Sequence, residues 1–227
     1  MVLRSGRESW QRDPMPGMLV IIAGVLLAGF VALGLALVFA PAFVRLDMSV
    51  SEAIRTVSWP WLDPVARFAT WVGDFWPMAI LTTATGLGLW VRGRRTSAAT
   101  LVLTVALGSL LGAGLKLLFG RVRPALEVAR IALPESYSFP SGHALSSVLF
   151  FGSVAFLIML HVKSLKRAMV GAGACTMAAF AIAIARVYLG VHYFGDVVGS
   201  WLLGFGLLAV MVLVSARWGA SGATGST

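Results

Sequence analysis

Between two long apolar runs near the end of the chain lies Ala185-Arg-Val-Tyr-Leu-Gly-Val-His-Tyr-Phe-Gly-Asp196, which carries an arginine, a histidine and a carboxylate where a short polar turn would be enough. Arg186 precedes His192 by six positions and Asp196 follows it by four. If a helix starts near Tyr193, the carboxylate sits one turn from the imidazole and on the same side. That spacing suits an aspartate orienting a histidine that reacts through its other nitrogen. Ionisable groups beside a hydrocarbon layer are costly, so their default reading is a functional site.

Two further stretches carry matching chemistry. Lys116, Arg121 and Arg123 follow one apolar run, and Pro140-Ser-Gly-His143 stands directly before another. Arginine forks and a lysine point charge, here with Arg186 as well, are what a phosphoryl group needs, because its equatorial oxygens carry the charge redistributed during transfer. A helix starting after Pro140 presents free backbone N–H groups to an anion. Gly142 lets that backbone approach an oxygen closely, and Ser141 offers a hydroxyl donor. The histidines then divide the labour: His192, held by Asp196, is the better nucleophile, and His143 the better proton donor to the leaving oxygen. No carboxylate partner for His143 is visible in the sequence. Neither a metal-ligand cluster nor a cofactor is expected, and Lys116, Arg123 and Arg186 supply the positive charge a metal would bring.

Membrane spans must position these residues. The 227-residue chain is 59% hydrophobic and only 12% charged, with a mean hydropathy of +0.89, which excludes a largely water-exposed surface. A formal net charge of +9 would fit nucleic acid, but the basic residues fall in short clusters between apolar runs, where membrane topology explains them better. No nucleic-acid partner is expected. The single cysteine, Cys175, lies inside an apolar run and reads as small filler.

The expected fold class is all-α: a polytopic membrane protein with six transmembrane helices and short interfacial helices after the first. The spans fall near 18–40, 75–91, 98–118, 144–160, 168–185 and 197–216, each long enough, or nearly so, for a hydrocarbon core about 30 Å thick. Pro41 closes the first. Between 41 and 74, Val50, Ala53, Ile54 and Val57, then Leu62, Val65, Phe68, Ala69 and Val72, recur at helical spacing. Asp63-Pro64 reads as a cap followed by the first helical position. Trp59, Trp61, Trp71 and Trp76 suit an aromatic belt, and a packed loop is the alternative. Residues 1–17 read as a cytoplasmic leader, 18–216 as the membrane domain and 217–227 as a disordered cytoplasmic tail.

Six spans put both termini on one side. The leader, the turns at 92–95 and 161–167 and the tail hold ten Lys and Arg against two acids, whereas the opposite side holds eight against seven. The positive-inside rule places both termini in the cytoplasm, with all three chemical stretches at the outer ends of spans three to six.

The motifs resemble those of the type 2 phosphatidic acid phosphatase family of membrane phosphatases: Lys116-Leu-Leu-Phe-Gly-Arg-Val-Arg-Pro124, Pro140-Ser-Gly-His143, and Ala185-Arg186 through His192 to Asp196. The resemblance implies that Lys116, Arg123, Ser141, Gly142 and Arg186 bind phosphate. It likewise implies that His143 is the general acid, His192 attacks phosphorus and Asp196 supports it. Ala185 stands where the family often has serine, which removes one hydroxyl contact. Arg121 lies at a variable position of the first motif, left open between substrate and a lipid headgroup. Arg130, His161 and Lys163 read as interfacial anchors, and Tyr188 and Tyr193 as belt or packing residues.

A transporter would place ionisable groups near the bilayer midplane. Here the midplane portions hold little beyond Thr83, Thr104, Ser109 and Thr176, so an enzyme at the outer surface is favoured, and the resemblance implies a bacterial cytoplasmic membrane. A site at span ends receives a headgroup whose tail stays in the bilayer. The resemblance implies undecaprenyl diphosphate as first choice of substrate, with phosphatidylglycerophosphate and phosphatidic acid as alternatives.

Overall fold

The computed structural model describes residues 14–57 and 59–222. The described chain is an all-α, polytopic membrane protein. Its helices are α1 (Pro14–Phe39), α2 (Pro41–Thr56), α3 (Leu62–Val72), α4 (Phe75–Val91), α5 (Arg95–Phe119), α6 (Gly142–His161), α7 (Leu165–Tyr188) and α8 (Phe194–Gly222), with one 3-10 turn at Leu126–Val128. Five of them, α1 and α5 to α8, are long and apolar enough to cross a membrane. The 17 residues of α4 rise roughly 25 Å, short of a full hydrocarbon core unless the bilayer thins around them.

Central α6 packs against α5, α7 and α8, and α1 lies along α8. Phe30, Leu101, Leu145, Leu149 and Leu203 join α1, α5, α6 and α8 in one apolar core. The loop before α6 is held from below: Phe139 is fully buried, stacked on Phe30 at 5.3 Å between ring centroids and edge-on to Phe119 at 4.8 Å. A side chain at Gly199 would put its Cβ only 2.3 Å from the Phe139 ring, so α8 can approach this loop only with glycine there. Aromatic pairs of this kind contribute about 0.5–1.5 kcal/mol each beyond buried area.

Several helices differ from the sequence expectation. Pro41 closes α1 but also opens α2, since proline is favoured in the first turn of a helix; α2 therefore begins well before Val50. Asp63 is not a cap. The residue capping α3 is Trp61, which makes no side-chain cap bond, and Asp63 instead takes a hydrogen bond from Arg130. The buried faces of α2 and α3 carry Asp47 and Ser51, and Ala66 and Thr70, and pack on the bundle. Trp59, Trp61, Trp71 and Trp76 are exposed.

Helix α7 runs to Tyr188, three residues past the expected span, so Arg186 lies in a last helical turn and not in a loop. Likewise α8 runs to Gly222, into the segment expected to be a disordered tail. Residues 223–227 of that tail and 1–13 of the expected leader lie outside the described residues.

Candidate active site

Four helix ends meet at one rim of the bundle: the C-terminal ends of α5 and α7 and the N-terminal ends of α6 and α8. The connection from α7 to α8 is short because it doubles back on itself. Val191 and His192 both donate their backbone N–H to the Arg186 carbonyl at 3.2 Å. Gly190 makes the reversal with φ +74°, and a Cβ there would lie 2.2 Å from the Val128 carbonyl oxygen of the loop between α5 and α6. His192 is thereby fixed beside the end of α7 and directly before α8.

Asp196 lies in the first turn of α8 and is fully buried. Its Oδ2 accepts from the Tyr193 backbone N–H at 2.9 Å, the reach-back contact of a helix start, and from the Ser138 hydroxyl. The same oxygen is 3.2 Å from His192 Nδ1. On the far side of the ring, Arg123 Nη1 is 3.1 Å from Nε2. A guanidinium only donates and a carboxylate only accepts, so these partners assign the proton to Nδ1 and the lone pair to Nε2. The ring is 1% exposed, and burial pushes its pKa down to about 3, with Asp196 pulling it back only in part. His192 thus stands as a neutral imidazole with its lone pair turned towards cations.

Those cations are held by backbone. Arg123 donates through Nε to the Ser136 carbonyl at 2.6 Å and through Nη1 to the Val191 carbonyl at 2.7 Å. Lys116 Nζ donates to the Tyr137 carbonyl at 2.6 Å, and its stem passes over Gly142, where an added Cβ would sit 4.0 Å from Lys116 Cε. Arg186 differs. Its side chain is 2% exposed, Nε has no partner, and no described residue accepts a hydrogen bond from the guanidinium. A buried guanidinium with free donors is costly unless an anion completes it.

Ser141 caps α6, accepting from the Ala144 N–H at 3.5 Å, while its own N–H donates to the Asp196 carbonyl at 3.3 Å. Capping occupies a lone pair of Ser141 Oγ and leaves its proton for another acceptor. His143, in the first turn of α6, has Nε2 2.7 Å from Asp74 Oδ1. The eight positions singled out from sequence, Lys116, Arg123, Ser141, Gly142, His143, Arg186, His192 and Asp196, lie at the helix ends and loops of this one rim. Among the described residues no three His, Cys, Asp or Glu side chains converge as a metal-ligand set.

Arg121 faces neither substrate nor lipid headgroup. It is 8% exposed, with Nη2 2.5 Å from Asp47 Oδ2 and Nη1 2.6 Å from Asp196 Oδ1. Two opposite charges at this range outweigh anything a surface lipid would offer. Nor is Arg130 a free interfacial anchor: it joins the loop between α5 and α6 to α2, α3 and α7 through the Arg55 carbonyl at 2.7 Å, Asp63 at 2.7 Å and the Tyr188 hydroxyl. Tyr188 also donates to Asp63. Sequence reasoning missed Asp74, Ser138 and Asp47. Ser138, two residues before Pro140, was the one nearest a motif; the aspartates had no local signal.

The fold, with the relatives it shares, defines a class, the membrane lipid phosphatases. The chain belongs to the PAP2 superfamily, which it matches over residues 97–220. It is similar to phosphatidylglycerophosphatase B of Bacillus subtilis strain 168, 30% identical over 162 residues that cover 70% of this chain and 77% of the relative. It is also similar to an undecaprenyl-diphosphatase of Sulfolobus acidocaldarius, 33% identical over 128 residues, 53% of this chain and 56% of that one. Among solved structures, a transmembrane PAP2-type phosphatidylglycerolphosphate phosphatase from Bacillus subtilis superposes with a TM-score of 0.78 at 27% identity, covering 86% of this chain and 96% of that one. Aquifex aeolicus LpxE shares the fold, with a TM-score of 0.56 at 24% identity over 73% of this chain and 94% of that one.

Proposed function

We propose that this chain removes the terminal phosphate of phosphatidylglycerophosphate or a closely similar lipid phosphomonoester, through a phosphohistidine on His192. The observation that carries the reading is Arg186: a buried guanidinium with an unpartnered Nε, near Lys116, His192 and Arg123, the last of which meets His192 Nε2. Bound phosphate would complete all three cations. The phosphorus would then face Nε2.

In the first step Nε2 attacks phosphorus and the bond to the lipid oxygen breaks, with a proton from His143 going to that oxygen. Asp196 keeps the proton on Nδ1 and stabilises the imidazole as it becomes positive. In the second, His143 takes a proton from water, which attacks the phosphohistidine and releases inorganic phosphate. Asp74 holds His143 Nε2, and among the described residues Nδ1 makes no protein hydrogen bond, so Nδ1 is the nitrogen placed to exchange the proton.

The comparisons support phosphatidylglycerophosphate over undecaprenyl diphosphate, the first choice from sequence. The phosphatidylglycerophosphatase is matched over 77% of its length and the undecaprenyl-diphosphatase over 56%. Phosphate release by the purified protein from these two lipids and phosphatidic acid, in detergent with excess chelator, tests the reading. The highest kcat/KM is expected on phosphatidylglycerophosphate, without added metal. A preference for the diphosphate would reverse the substrate assignment, and a requirement for added Mg²⁺ would remove the cations from their proposed role.

The same reading places α4 as a sixth span in a bacterial cytoplasmic membrane, both termini in the cytoplasm and residues 120–140 outside. It is supported by the charge asymmetry and by the exposed tryptophans around α3. Cysteine placed at Ala132, with Cys175 removed, should react with an impermeant reagent in intact cells. Reaction only after the cells are opened would invert the topology.

A further inference from the structure

Helix α2 contributes no phosphate ligand and no histidine, yet it holds the start of α8. Asp47 Oδ1 accepts from the Gly195 N–H at 2.6 Å, and Ser51 Oγ accepts from the Phe194 N–H at 2.9 Å. These N–H groups belong to a first helical turn, which has no intrahelical partners for them. The other Asp47 oxygen pairs with Arg121, and Arg121 pairs in turn with Asp196 Oδ1, its guanidinium 4.5 Å from the centre of the Tyr193 ring. All three charged residues are buried. A continuous line of contacts therefore runs from α2 through Arg121 to Asp196 and on to His192.

We propose that Arg121 and Asp47 are positioning residues for the phosphoryl transfer: they fix the Asp196 carboxylate so that Oδ2 alone is offered to His192 Nδ1. The inference rests on His192 being the nucleophile. An aspartate carboxylate turns readily about its last torsion. Here Arg121 holds Oδ1, while Ser138 and the Tyr193 N–H hold Oδ2, so neither the plane of the carboxylate nor the ring bonded to it is free to swing. A planar guanidinium can meet Asp47 and Asp196 at once, whereas a lysine point charge cannot align both.

Arg121 also balances charge, and charge balance alone would be a structural role. The two roles separate in a double variant. Arg121→Met leaves Asp47 facing Asp196 with no cation between them, whereas Arg121→Met with Asp47→Asn restores the net charge of the cluster without restoring the fork.

Rapid-quench measurement of phosphohistidine formation by the full chain in detergent, with melting temperature and steady-state kinetics alongside, tests the inference. Arg121→Met should slow phosphorylation about 100-fold, the scale of a 1 Å misplacement, with KM changed less than about threefold. Arg121→Lys should recover about tenfold of that loss by meeting one carboxylate. The double variant should regain the wild-type melting temperature while its phosphorylation rate stays within about threefold of Arg121→Met. Recovery of the rate together with the melting temperature would reduce Arg121 to charge balance and overturn the inference. A raised KM with an unchanged saturating rate would make it a substrate ligand and overturn it too. Failure of the wild-type protein itself to form an adduct on His192 would be a different result, removing the nucleophile on which the inference stands.

Discussion

Asp74 Oδ1 lies 2.7 Å from His143 Nε2, a contact between residues 69 apart in sequence. Asp74 occupies the cap position of α4 but makes no capping bond with its own helix; its carboxylate is turned onto the first turn of α6. An aspartate that gives up the usual local partner for a histidine 69 positions away is placed to orient that histidine.

Asp74→Asn keeps the shape of this contact and removes its charge. With His143 as proton donor, kcat on a lipid phosphate should fall by about 10–100-fold. The loss should be much smaller on an aryl phosphate, whose leaving oxygen needs little protonation. Steady-state kinetics on the two substrates decide it, and equal losses would mean that Asp74 acts on something other than the leaving group.

Replacement of His192 by alanine should abolish both turnover and labelling of the protein by phosphate, since among the described residues no other imidazole is backed by a buried carboxylate. Asp196→Asn should keep most of the packing but favour the wrong tautomer, lowering the phosphorylation rate by about 10⁴-fold, as for other misoriented catalytic imidazoles. Mapping of the acid-labile adduct checks the first result. An adduct on His143 would exchange the roles of the two rings.

Gly190 is where backbone geometry, not chemistry, sets the site. Its φ of +74° and the Val128 carbonyl 2.2 Å from an added Cβ leave a side chain no room. Gly190→Ala should destabilise the protein by about 2–4 kcal/mol and move Arg186 and His192 apart. A lower melting temperature together with a lower kcat is the expected pair of readings. A variant with both unchanged would show that the loop yields freely.

The apolar runs were the legible part of the fold. Helix α4 begins and ends where the uncharged stretch does, at Phe75 and Val91, because Asp74 and Arg92 bound it. Helix α8 starts before its expected span, at Phe194, where Ser51 and Asp47 of a distant helix accept the first-turn N–H groups of Phe194 and Gly195. The three motifs were legible because each keeps its chemistry within a short stretch. Asp47 and Asp74 were not. On an amphipathic helix or in a turn, a carboxylate reads as a solvated group until packing aims it, and both lie outside residues 97–220, where the family match falls. Their partners, Arg121 and His143, are 74 and 69 residues away.

Burial of His192 has a consequence for pH that separates it from an ordinary histidine. Its pKa is pushed down to about 3 in the folded chain, against about 6.5 when unfolded. Between these values the unfolded chain binds a proton that the folded chain refuses, so acid favours unfolding. The contribution is complete above about pH 6.5 and is lost as pH falls towards 3, by up to about 1.4 kcal/mol per pH unit. His192→Asn removes this titration. The melting temperature of the wild type should therefore fall more steeply than that of the variant between pH 6.5 and 4.5. Over the same interval the nucleophile itself stays unprotonated. Single-turnover phosphorylation of His192 by a substrate with an acidic leaving group should then stay level, once the second ionisation of the phosphate, near about pH 6, is divided out. A corrected rate that still falls with a midpoint near pH 6.5 would mean that water reaches the ring and that His192 titrates as an exposed imidazole.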